Sequence, residues 1–151
     1  MVERSRARGL TNRSSISILP FDTTDLVVAG LLQGMDSAGV SRLLGPPDSI
    51  SAEPDSRDAG AKLVEWHYPA LTVSLGCYGK LGGVSITGRA VVTKRGLRLG
   101  DSRTRLVSLY GLPPDTTGQT WQYQTADGLY AMQIDFFAGV VRRVYLGHFY
   151  D

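Results

Sequence analysis

The chain has 151 residues, a net charge of +2, 42% hydrophobic and 20% charged residues. That balance belongs to folded globular material of one compact domain or two small fused units, and excludes a disordered or fibrous chain. No apolar run reaches the about 18 residues of a membrane helix, and the single cysteine, Cys77, excludes an internal disulfide.

Residues 1–20 form a basic arm, with Arg4, Arg6, Arg8 and Arg13 against Glu3. It carries the charge of a signal-peptide start without the apolar stretch that follows one. A cytoplasmic protein, or an exported one whose leader has been removed, both fit. Residues 1–15 are rich in Arg, Ser and Asn and predict disorder; Ile16 to Leu19 predicts a short edge strand. The apolar stretch Leu26 to Leu32 leads to Gly34. Asp36 or Ser37 then caps a short helix carrying Val40, Leu43 and Leu44 on one face, ended by Gly45 and kept from resuming by Pro46 and Pro47.

Residues 48–60 are polar, contain Pro54 and Gly60, and predict an inserted loop. Leu63 to Tyr68 predicts a strand, and Leu71, Val73 and Leu75 alternate with Thr72 and Ser74 at the period of a half-buried strand. Gly79 and Lys80 turn the chain into a third strand with Val84 and Ile86. The second half follows the same plan. Ser102 caps a helix with Leu106, Leu109 and Tyr110, stopped at Gly111; Trp121 to Thr125 is a strand, and Asp127-Gly128 is a hairpin signal. Tyr130, Met132, Ile134 and Phe136 alternate with Ala131, Gln133 and Asp135, Ala138-Gly139 turns, and Val140 to Leu146 closes the series.

The two halves share more than their order. Eleven residues separate Gly34 from Gly45 and eleven separate Gly100 from Gly111, and a proline follows two residues after Gly111 as Pro47 does after Gly45. Trp66-His67-Tyr68 answers Trp121-Gln122-Tyr123, and the first half holds about eleven extra residues between proline and tryptophan. Such self-similarity predicts architecture. The expected fold is α+β, a tandem repeat of two short-helix plus antiparallel-hairpin units forming one curved antiparallel sheet with the helices on one face. Unit one spans 21–89, with the insertion at 48–60, and unit two spans 90–151.

Each half resembles the repeat shared by the beta-lactamase inhibitor protein and the bacterial SmpA/OmlA outer-membrane assembly lipoproteins. The resemblance covers residues 26–147, and Arg95-Gly96-Leu97-Arg98-Leu99-Gly100-Asp101-Ser102 carries it best. It implies a sheet backed by short helices whose open face binds another protein. The chain departs from the inhibitor in lacking paired cysteines, and from the lipoproteins in lacking an N-terminal lipidated cysteine.

Enzyme chemistry finds no motif. Cys77 with His67 or His148 would need a cationic neighbour or a helix N-terminus to activate the thiol, and neither is signalled. No His/Cys spacing suits a metal; Asp48, Asp55 and Asp58 read as a solvated loop; Gly79 to Gly83 sits in a hairpin and cannot cradle phosphate. No cofactor is expected. Arg89, Lys94, Arg95, Arg98, Arg103 and Arg105 cluster, but without a recognition helix or an RNA-binding motif a nucleic-acid partner is not expected. Arg4, Arg6, Arg8, Arg95 and Arg98 are candidate contacts to an anion or an acidic partner.

Trp66, Tyr68, Trp121 and Tyr123 serve equally as core or as partner anchors; their parity with Val64 favours the core. The opposite strand face then displays Glu65, His67, Thr72, Ser74, Ser85, Gln122, Gln133, Asp135, Arg143 and Tyr145. His67, Thr72, Ser74, Gln122, Gln133, Asp135, Arg143 and Tyr145 are the candidate protein-binding residues. The function expected is a non-enzymatic protein-binding module. The alternative is a structural subunit or envelope scaffold held through the arm and residues 48–60, with capping of sheet edges by self-association as a further option.

Overall fold

A computed structural model describes residues 18–54, 62–76 and 79–148. Seven strands, β1 (Ser49–Pro54), β2 (Lys62–His67), β3 (Leu71–Leu75), β4 (Leu81–Ile86), β5 (Thr120–Gln124), β6 (Tyr130–Phe137) and β7 (Val140–His148), form one sheet. Its order is β1-β2-β3-β4-β7-β6-β5, and every pairing is antiparallel. Helices α1 (Ser37–Leu44) and α2 (Arg103–Tyr110) complete an α+β fold. No helix among the described residues is long and apolar enough to cross a membrane.

Strand parity decides which residues are buried. Val73, Val84, Leu146, Met132 and Tyr123 stand in one cross-strand row and are all buried, as period-two alternation requires when one face is covered. Helix α1 covers the first part of this face with Val40 (fully buried) and Leu44; helix α2 covers the second with Leu106 and Tyr110. Each fully buried aliphatic side chain contributes about 1.5–3 kcal/mol. Leu43, expected on the packed face of α1, is 49% exposed. Eight residues make little more than two turns, and the core stripe is filled by Val40 and Leu44.

The two helices are built alike. The Asp36 carboxylate accepts from the Gly39 N–H at 2.8 Å and the Ser102 hydroxyl from the Arg105 N–H at 3.1 Å, caps worth about 1 kcal/mol each. Gly45 and Gly111 end them at φ +77° and +79° with ψ −168° and −174°, a region open essentially to glycine alone. Their N–H groups donate to Ser41 O and Val107 O, both at 2.8 Å. The Tyr68 hydroxyl donates to Gly45 O (3.0 Å) and that of Tyr123 to Gly111 O (2.7 Å). Ahead of each helix, Gly34 N–H meets Leu81 O on β4 (2.9 Å) and Gly100 N–H meets Val141 O on β7 (2.8 Å).

Three local expectations are corrected. Residues 49–54, expected in a loop, form the edge strand β1 in register with β2; the alternation in Ser49-Ile50-Ser51-Ala52 suits a strand, and β2 supplied the missing partner. The expected strand Ile16 to Leu19 is not formed at Ile18 and Leu19; its other two residues, the predicted disorder of residues 1–15, and Cys77 lie outside the described residues. Phe21, Leu26 and Val28, assigned to unit one, pack in the core beneath α2.

Candidate functional site

The register turns the polar strand positions into continuous rows. Ser49, His67, Thr72, Ser85, Tyr145, Gln133 and Gln122 lie side by side, one from each strand. At the usual strand spacing this row is about 28 Å long. A second row runs Ser51, Glu65, Ser74, Gly83, Gly147, Ala131, Gln124. A third carries Thr120, Asp135 and Arg143. The structure thus brings together on one face all eight residues expected to bind a partner. The two full rows and the short third one cover roughly 550 Å², against the about 800 Å² each partner buries in a standard interface.

Hydrogen bonds tie neighbouring strands across this face. The His67 ring contacts Ser51 Oγ through Nε2 at 2.8 Å and Thr72 Oγ1 through Nδ1 at 3.3 Å. An Arg143 guanidinium nitrogen donates to Ser85 Oγ at 3.1 Å, and Thr120 Oγ1 donates to an Asp135 carboxylate oxygen at 3.0 Å. Ser85 is buried, while Arg143 reaches solvent. At the centre, the Tyr145 side chain lies against the glycine pair Gly83–Gly147. A Cβ built on Gly83 would stand 2.7 Å from Tyr145 Cε1 and 2.8 Å from Cζ. The aromatic ring covers backbone that two glycines leave bare, an arrangement known to stabilise glycines in sheets, and its hydroxyl donates to His148 O at 3.1 Å.

Sequence pattern alone leaves out Ser49, Ser51 and Gln124, because residues 48–60 read as a loop and Gln124 closes its strand. It also misses the two glycines that make room for Tyr145. The signal for the serines was present in their period of two.

The tryptophan–tyrosine pairs face the helices. Trp121 and Tyr123 are 5% exposed; Trp66 and Tyr68 are half-buried against the α1 cluster. Burial raises the phenol pKa of Tyr123, Tyr110 and Tyr68 because a buried phenolate loses its hydration.

Arg95 does not stand ready for a partner. Its Nε and an amino nitrogen donate to the two carboxylate oxygens of Asp25, both at 2.8 Å. The remaining donors reach Leu19 O (2.8 Å), Pro20 O (3.0 Å) and Leu109 O (3.0 Å), and the guanidinium lies 4.7 Å from the Tyr110 ring centre. The planar fork of arginine suits such a junction, which fastens residues 19–25 to the end of α2. The hydrogen bond to Asp25 raises the Arg95 pKa. Arg103 is half-buried over Phe136 (4.3 Å) and Trp121 (5.2 Å), so two members of the basic cluster support the fold. Arg98 is exposed; Arg4, Arg6 and Arg8 lie outside the described residues.

No family model matches the chain, and no curated protein does. Among solved structures, an extracellular protein containing a SCP domain from Bacillus anthracis str. Ames superposes on 77% of this chain with a TM-score of 0.55 and 17% identity. This chain spans 44% of that protein's length. The likeness is one of fold.

Proposed function

We propose that this chain is a non-enzymatic protein-binding module that engages its partner through the polar face of the sheet. The observation that carries the reading is the seven-residue row, flanked by Arg143 and Asp135. It presents hydroxyls, amides, an imidazole, a phenol and a charge of each sign on a rigid scaffold. Hydrogen bonds along the face hold His67, Thr72, Ser85, Arg143, Asp135 and Tyr145, which lowers the conformational entropy these side chains lose on binding. Tyr and Arg, the residues over-represented among interface hot spots, occupy its middle.

We also read the matched helix caps, matched Tyr-to-Gly bonds and matched strand anchors as the trace of a tandem duplication, in keeping with the inhibitor-like and SmpA/OmlA-like resemblance. On this reading β1 is an addition to the first unit. The alternative is a structural subunit or envelope scaffold held through the N-terminal arm and residues 48–60; residues 49–54 of that segment form the edge strand β1, while residues 1–17 and 55–60 lie outside the described residues.

Photo-crosslinking amino acids at Thr72 and Gln133, with Thr104 on α2 as control, test the proposal in the native host. Partner adducts are expected from the two sheet positions and not from Thr104. Adducts from Thr104 alone, or equally from all three, would overturn it.

A further inference from the structure

Four exposed cations, Arg89, Lys94, Arg98 and Arg105, take part in no ion pair among the described residues. Nearby acids are used locally. Asp25 is held by Arg95, the Asp101 carboxylate accepts from the Arg98 N–H at 3.0 Å, and that of Asp22 from the Thr24 N–H at 2.9 Å. The loop ahead of α2 strings three of the cations together. Two turns shape it: Gly96 N–H donates to Thr93 O (2.9 Å) and Asp101 N–H to Arg98 O (3.2 Å). Leu97 is buried in the core and pins the middle of the loop, while Arg98 beside it faces solvent. At one end, Arg105 Nη2 lies 3.7 Å from where a Cβ on Gly96 would stand; at the other, Arg89 Cζ lies 3.7 Å from that position on Gly100. Four residues reach at most about 14 Å, so the three guanidiniums share one short stretch of backbone. The fold draws little from them. Arg105 even stands in the first turn of α2, where the aligned peptide dipoles disfavour a cation. Positions that break a local rule without a structural return are where function is to be sought.

We propose that this row docks an acidic segment of a protein partner, bound in extended form with carboxylates at alternate positions. Residues i, i+2 and i+4 of an extended chain point the same way and span about 13 Å, which matches the reach of the loop. The planar fork of arginine pairs with a carboxylate through two parallel N–H···O bonds. The net charge of the whole chain, +2, is smaller than that of these four cations, so the remainder is net negative. A long nucleic acid would run from the row into that repulsion, whereas a segment of about five residues stays within it. The row lies with α2 on the helix side of the sheet, away from the polar rows, and the proposal is independent of the partner reading there.

Fluorescence anisotropy of the full chain with a labelled Glu-Ser-Glu-Ser-Glu peptide tests it. Saturable binding that weakens with salt is expected. The triple variant Arg89→Gln, Arg98→Gln, Arg105→Gln should bind about tenfold or more weakly, with Tm within about 5 °C of the parent. The control Arg42→Gln, Lys62→Gln, Lys80→Gln removes the same charge elsewhere and should bind like the parent. A Glu-Glu-Glu-Ser-Ser peptide should bind more weakly than the alternating one. No binding by the parent, equal losses in the two triple variants, equal affinity for the two peptides, or tighter binding of a short DNA duplex would overturn it. A larger fall in Tm would assign the arginines to the fold and overturn it as well.

Discussion

Replacing Arg95 separates a structural role from a binding role. The Asp25 side chain is only 4% exposed and faces a guanidinium that is itself 17% exposed. Removing one partner of a buried ion pair costs about 3–5 kcal/mol, because the other charge is left desolvated. Asp25 keeps one bond, from the Asp22 N–H at 3.0 Å, and water reaches the outer rim of the arginine, so the lower end applies. We expect Arg95→Met to lose about 3 kcal/mol. At about 2.1 cal/mol/K per residue, unfolding a chain of this length carries an entropy near 0.3 kcal/mol/K, so Tm falls by about 10 °C. Urea titrations followed by the fluorescence of buried Trp121 give the free energy, and a double-mutant cycle with Asp25→Leu gives the coupling, expected at about 2 kcal/mol or more. A loss under about 1 kcal/mol would refute the argument and return Arg95 to the surface as a candidate contact.

Two further predictions concern the sheet. A Cβ on Gly147 would overlap Gly82 O and Gly83 Cα, which are backbone and cannot yield, whereas a Cβ on Gly83 meets the outer part of the Tyr145 ring, which can swing away. Gly147→Ala should therefore cost about 1–3 kcal/mol more than Gly83→Ala, measured by thermal melts; equal or reversed losses would show that Tyr145 does not lie over the pair. The second uses alkaline pH. Because the folded pKa of Tyr123 and Tyr110 is raised above the ordinary value of 10.0, the stability they contribute is complete below pH 10 and is lost as pH rises beyond it. Tyr123→Phe should cost about 1 kcal/mol near neutrality through the lost bond to Gly111 O and flatten the decline above pH 10. A urea-midpoint slope unchanged by the substitution would contradict this.

Local chemistry made much of the fold legible. The Asp36 and Ser102 caps and the glycine stops at 45 and 111 are written in single residues whose geometry has few alternatives. Strand faces followed from period two, and with them the grouping of His67, Thr72, Gln133 and Tyr145. What stayed hidden depends on distant partners. β1 becomes a strand because β2 is there to pair with it. Arg95 looks like any surface cation until Asp25, seventy positions away, is folded against it. Gly83 and Gly147 look like turn residues until their strands adjoin, and only then does the ring of Tyr145 have a surface to rest on.

The junction of β4 and β7 bears most directly on the proposed binding face. There Val84 pairs with Leu146, Ile86 with Val144, and Ser85 with Tyr145. On the duplication reading, in which Val84 answers Val144 and Ile86 answers Leu146, the first two pairings exchange with each other and the third maps onto itself. The Ser85–Tyr145 pair then lies on the local axis relating the halves. A strictly symmetric ancestor would carry the same residue at both places. Here one is a buried serine held by Arg143 and the other a tyrosine spread over two glycines. On that reading the apolar pairs carry like residues across the axis and the polar pair does not, so the Ser85–Tyr145 pair, with Arg143 beside it, is the place at which the proposed partner surface is most directly tested.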